Sequence, residues 1–238
     1  MDSHQNVCAL AWNENLVQLA GGSNIRLRYE SQPDAVHPFG TWPSGRYGGE
    51  VSSHRDLEPA AITLSDEDRR LVAEWAADCA QRVLPLFEVK APSDTRPREA
   101  IEGARAFALD GKRTAQLRSL ALAAQSAARE VGNPVAASAA RAAGLAAATP
   151  YTHALATPHQ SKHVLGPAVY QVQARELAAG NDPSVGDEEM HWVIERASST
   201  VREVVRRFPA RSPGRTRLAT LYYQLDGALR FVKPCAPG

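Results

Sequence analysis

Alanine is the strongest constraint on this chain. Between residues 65 and 229 it recurs at a density suited to close-packed helices, and one histidine-crowded segment breaks the run. Alanine has the best intrinsic helix propensity, yet its methyl group buries little apolar area, and hydrophobic stabilisation scales with that area. Such a sequence recovers the deficit by drawing helix axes together or by covering a face with a partner. The expected fold class is all-α: a compact multi-helix bundle, preceded by an N-terminal arm containing a short β-hairpin.

Three segments follow from the patterning. Residues 1–60 form a hairpin and an aromatic, proline-rich arm, residues 61–232 the alanine-rich helical domain, and residues 233–238 a flexible tail. The hairpin is expected where residues 15–20 and the alternating residues 24–29 flank Gly21-Gly22-Ser23, a turn signal. Pro33, Pro38 and Pro43 then oppose a helix. Phe39, Trp42 and Tyr47 among them oppose plain disorder. This stretch is expected to lie on the helical body, either as a lid over a cavity or as a packing or oligomerisation arm.

Charge and cysteine usage exclude several classes. The 238 residues are 44% hydrophobic, enough for a sizeable core. Twenty-seven basic side chains against twenty-six acidic ones give a formal charge of +1, so no general field gathers a phosphate backbone and nucleic acid is a poor partner. No apolar run approaches the roughly 18 residues of a membrane span. The start, Met1-Asp2-Ser3-His4, lacks a basic leader, which reads as a cytoplasmic protein. Cys8, Cys79 and Cys235 make no CxxC pair. Cys79 sits on a helical stripe and is expected to be a small buried hydrophobe. The glycine-rich nucleotide fingerprints, HExxH and the G-x-S-x-G elbow are all missing, so no cofactor is expected.

Helix boundaries come from caps and prolines. Ser65, followed by Asp66, Glu67 and Asp68, is a good N-cap. Val72, Trp75, Ala76, Cys79, Val83, Leu86 and Phe87 then form one inward stripe, with Pro85 able to kink it. Pro97 suits a helix start, and Asp110-Gly111 a helix end. Further helices are expected over 114–131, 135–148, from about Val164 to a stop at Gly180-Asn181-Asp182-Pro183, over a single long span 188–208, and through Leu218 to Leu229.

Chemistry would most easily occupy the interruption, which reads Thr149-Pro150-Tyr151-Thr152-His153 and then Thr157-Pro158-His159-Gln160-Ser161-Lys162-His163. Imidazoles titrate near neutral pH, so His153, His159 and His163 are the acid–base candidates, with Tyr170 beside them and Tyr151 to orient a small substrate. Phe39, Trp42 and Tyr47 would exclude water from that site. His159 and His163, four apart, share a helix face as a metal pair would, and Glu188, His191 and Glu195 could complete the ligand set. Capping and ordinary hydrogen bonding explain the histidines more simply. Glu88, Asp94, Arg96 and Arg98 form a second polar cluster, able to hold an anion bidentately or to brace neighbouring helices.

From Leu64 onward the chain resembles the Imm-5-like immunity proteins of actinobacteria. The resembling pieces include Cys79-Ala80, Phe87-Glu88, the run from Asp94-Thr95-Arg96-Pro97 to Glu102, and Ala104-Arg105-Ala106-Phe107-Ala108. Lys112-Arg113-Thr114, the run from His163-Val164-Leu165-Gly166 to Tyr170, and Leu225-Asp226-Gly227-Ala228-Leu229 complete the set. The resemblance implies an all-helical fold and a protein partner that the chain neutralises by binding. It brings no catalytic residues, and the exonuclease label carried by some members finds no paired carboxylates here. Residues 1–60 depart from the family pattern. They leave room for the alternative, a small-molecule biosynthetic enzyme such as a cyclase or proton-transfer enzyme, taking a small apolar molecule under the arm. A homo-oligomer is compatible with either role.

Overall fold

The computed structural model describes residues 60–231. In chain order the helices are α1 (Asp66–Glu88), α2 (Arg96–Asp110), α3 (Ala115–Glu130), α4 (Pro134–Ala148), α5 (Pro158–Ala178), α6 (Pro183–Arg196), α7 (Ser199–Arg207) and α8 (Arg217–Phe231). A single 3-10 turn, Thr149–Tyr151, follows α4.

Local chemistry starts most of them. Ser65 and Asp68 form a reciprocal capping box, the Ser65 hydroxyl accepting the Asp68 N–H at 3.0 Å and the Asp68 carboxylate accepting the Ser65 N–H at 2.8 Å. Thr114, Asn133, Thr157, Asp182 and Ser198 cap α3 to α7 without the reciprocal bond, each accepting one backbone N–H through a side-chain oxygen. Gly111 closes α2 at φ 72°, a left-handed position that glycine enters without a Cβ penalty.

The alanine helix α4 is the axis of the body. Twelve of its 15 residues are buried, all but Pro134, Val135 and Arg141. A helix apolar on every side belongs in a core, and α1, α2, α3 and α5 pack around this one. Small residues set the spacing. A Cβ added at Gly144 would stand 3.0 Å from the Ala121 carbonyl oxygen, so the α3 and α4 backbones nearly touch there. One added at Gly166 would meet Leu145 Cδ1 at 2.6 Å and the Tyr222 hydroxyl at 3.1 Å.

A second core uses larger side chains. Val72, Trp75 and Cys79 of α1 pack with Val164, Leu165 and Val169 of α5, Val201 and Val205 of α7, and Leu221, Leu225 and Leu229 of α8. The α8 pair Asp226 and Arg230, both nearly buried, clamps the end of α7: Arg230 donates to the Val205 and Phe208 carbonyls, each at 2.9 Å, and to Asp226 at 2.8 Å. On α1, Leu84 is buried and Leu86 is only half-buried, the reverse of the expected stripe. The helix runs unbroken through Pro85.

Two expectations are corrected. The fold class is corrected to all-α over the described residues: among them there is no strand or sheet, and the one extended pairing is a single antiparallel bridge, Ala61 to Leu155. The stretch that carried the hairpin expectation, residues 15–29, lies outside the described residues.

The second correction concerns the long span 188–208, which is two helices with a start at Pro183. Ala197 turns extended at ψ 113°, and the Ser198 hydroxyl caps α7 by accepting the Val201 N–H at 3.2 Å. Buried Arg202 satisfies the carbonyls freed by the break, donating to Ala197 and Ile194.

Candidate functional site

The histidine segment is held from two sides. Backbone bonds from Ile62 to the Ala154 carbonyl at 3.0 Å and from Ala156 to the Ala60 carbonyl at 2.8 Å tie it to the residues before α1. The Gln160 side chain accepts the His153 N–H at 2.9 Å. His159 and His163 do share a face of α5, their rings edge to face with centroids 5.3 Å apart. His153 and His159 are exposed, whereas His163 is half-buried. Burial, together with the neighbouring His159, His153 and Lys162, pushes the His163 pKa down to about 4, so its ring is neutral at neutral pH.

The tyrosines are engaged in packing. Tyr151 donates its hydroxyl to the Thr114 carbonyl at 2.5 Å, and the Arg118 guanidinium stacks 4.7 Å above its ring. Tyr170 is buried, with Arg141 over its ring at 5.9 Å. Phe39, Trp42 and Tyr47 lie outside the described residues.

The second cluster braces the bundle. Arg96 grips Asp94 bidentately at 2.9 and 2.7 Å and reaches Glu130 at 2.7 Å. These bonds hold the Asp94 carboxyl below its usual range and raise the guanidinium pKa. Arg98 pairs with Glu88. The α1–α2 corner is thereby fixed, and the start of α2 is tied to the end of α3.

On α6, Glu188, His191 and Glu195 are exposed and occupy the solvent face. Among the described residues no three His, Cys, Asp or Glu side chains converge as a metal would require. The inward carboxylate is the neighbour Glu189, 4% exposed. It accepts from Arg82 at 2.7 and 3.0 Å, from Gln171 at 2.8 Å and from Arg175 at 3.1 Å. Burial works to raise its pKa, but these donors outweigh it and the net shift is downward. Trp192 lies between two guanidiniums, Arg82 at 4.5 Å and Arg196 at 4.4 Å. The spacing Glu189, Val193, Ala197 is a helical stripe, and that signal would have found the inward carboxylate.

An open groove of about 450 Å³ runs between α2 and α3. Its α2 side carries Glu99, Glu102, Ala106 and Asp110, a stripe at helical spacing. Its floor is Gly103, Phe107, Leu117 and Leu120, and Lys112 stands at one end. Gly103 permits this floor: a Cβ there would meet Leu120 Cδ1 at 2.9 Å and Leu117 Cδ1 at 3.0 Å. None of the histidines or tyrosines expected to form a site lines it.

The sequence profile described as Imm-5 like putative immunity protein matches residues 62–200, more than half of the chain. The chain belongs to that family. The Imm-5 like match spans α1 to α6 in full and enters α7, so it contains both the groove and the Glu189 network. No curated protein and no solved structure matches this chain. Among the described residues, no helix of this Imm-5 like protein is long and apolar enough to cross a membrane.

Proposed function

We propose that this chain is an immunity-type protein of the cytoplasm that binds a protein partner and neutralises it. The observation carrying this reading is that Tyr151, Arg96 and Arg98, expected to form a site, brace the bundle instead, while His153 and His159 are exposed. The Tyr151 hydroxyl is bonded to Thr114, Arg96 and Arg98 to carboxylates, and His163 is neutral and half-buried against His159. An exposed concave surface between two rigid helices is what a partner would meet.

The test uses the full chain. It is cross-linked in cells of its own organism, the recovered protein is purified separately, and the two are recombined. The expected result is a stoichiometric complex by light scattering, with the partner's activity suppressed in proportion to the chain added. Finding no saturable protein partner, together with a metabolite whose turnover depends on the chain, would overturn the reading.

A further inference from the structure

The three arginines of α2 are all committed to carboxylates away from its groove side: Arg96, three before Glu99, pairs with Asp94 and with Glu130 at the end of α3. Arg98 and Arg105 stand four before and three after Glu102, the spacings at which helix ion pairs form. Arg98 instead pairs with Glu88 and Arg105 with Asp78 at 2.9 Å, both across to α1. At the far end of the groove Asp110 is partly compensated, its carboxylate 3.9 Å from the Lys112 ammonium and accepting the Lys112 N–H at 2.8 Å. Among the described residues the Glu99 carboxylate accepts only a hydroxyl, that of Thr95 at 2.7 Å. Both Glu99 and Glu102 are exposed, and among the described residues neither forms an ion pair. One end of the groove is thus anionic, and beside it lies an apolar floor that Gly103 keeps shallow.

We infer that this α2–α3 groove is the docking site for a basic segment of the protein partner, a Lys or Arg head meeting Glu99 and Glu102 while its aliphatic stem lies over Ala106 and Leu120. The inference rests on the immunity-type reading and supplies its partner chemistry. A long cationic side chain matches this surface because its stem is apolar and its head charged. A groove of about 450 Å³ accommodates side chains and falls toward the lower end of ligand-sized clefts, roughly 300–1,000 Å³. The sign of the lining disfavours phosphate backbones and acidic peptides.

The experiment titrates the full chain with a fluorescein-labelled peptide alternating lysine and leucine, and with its glutamate–leucine counterpart, by anisotropy at two salt concentrations. Saturable binding of the lysine peptide is expected, weaker at high salt and about tenfold or more weaker for the Glu99→Lys/Glu102→Lys variant. Lys112→Glu should tighten it severalfold, and Glu188→Lys, on the exposed face of α6, should leave it unchanged. Circular dichroism checks the fold, and Glu99→Gln/Glu102→Gln replaces the charge reversal if that variant does not fold. No binding by the natural chain, equal binding of the two peptides, or indifference to both Glu99 and Glu102 would overturn the inference. A neutralised partner whose complex survives these variants would sink the groove assignment alone. Absence of any partner would sink the immunity-type reading, and the peptide titration would still decide the groove.

Discussion

Arg82 of α1 and Glu189 of α6 meet in a bidentate pair at 2.7 and 3.0 Å, although 107 residues separate them in sequence. The carboxylate is nearly buried while the guanidinium is about one-third exposed, so the two partners are unequal. Replacing Arg82 with Gln leaves Glu189 held by Arg175 and Gln171; replacing Glu189 with Gln removes the charge on which all three donors converge. Glu189→Gln should cost about 2 kcal/mol and Arg82→Gln about half of that. Urea midpoints at constant m value measure both. An Arg82 variant that loses more stability than the Glu189 variant would refute this ordering.

That network shows where a sequence stops being legible. The caps at Ser65, Thr114, Asn133 and Thr157, the left-handed end at Gly111 and the alanine identity of the axial helix follow from residue chemistry within a turn or two. The pairing of Arg82 with Glu189, and the turning of Arg98 and Arg105 toward α1, depend on which helices become neighbours. The break at Ala197 was obscured because Val193, Ala197, Val201 and Val205 keep one apolar stripe across it. The His159–His163 face was readable from a spacing of four. The groove was less so: its acidic stripe reads as a solvated helix face until α3 is placed beside it.

Two helix glycines should respond in opposite directions to a methyl group. Gly227 of α8 has nothing within 4 Å of a Cβ, so Gly227→Ala gains helix propensity and should stabilise by roughly 0.5–1 kcal/mol. At Gly144 the same Cβ would stand 2.7 Å from Gln125 Nε2 and 3.0 Å from the Ala121 carbonyl, and the latter is backbone that yields only if α3 moves. Gly144→Ala should destabilise by about 1–2 kcal/mol despite its propensity gain. Thermal melts of the two single variants compare them directly. A stabilised Gly144→Ala protein would mean that α3 and α4 are less closely packed than described.

His163 should make stability pH-dependent at mildly acidic pH. Its ring is held near pKa 4 against an ordinary 6.5, so the unfolded chain takes up a proton that the folded chain refuses. The sign is fixed: the contribution is complete above pH 6.5 and is lost as pH falls toward 4. That interval corresponds to about 3 kcal/mol. Below it the depressed carboxyls of Asp68 and Glu189, ordinarily at 3.8 and 4.5, add a second loss as they protonate. Urea midpoints of the natural chain and of His163→Gln, measured from pH 7.5 to 4.5, should converge as pH drops. Parallel curves would show that this imidazole titrates alike in both states.

Cys79 provides a readout of whether the two cores open together. Its thiol is fully enclosed in α1, and burial first, then the Asp78 charge, raises its pKa, so little thiolate forms at neutral pH. Iodoacetamide followed by peptide mapping should leave Cys79 unmodified under native conditions and label it fully in denaturant. At intermediate urea the labelled fraction should follow the loss of helical signal, since α1 packs with Val72, Trp75 and Cys79 in the branched core and also contacts the alanine axis. Labelling that ran ahead of the helical signal would instead reveal that the α5–α8 side separates before the axial helix is exposed.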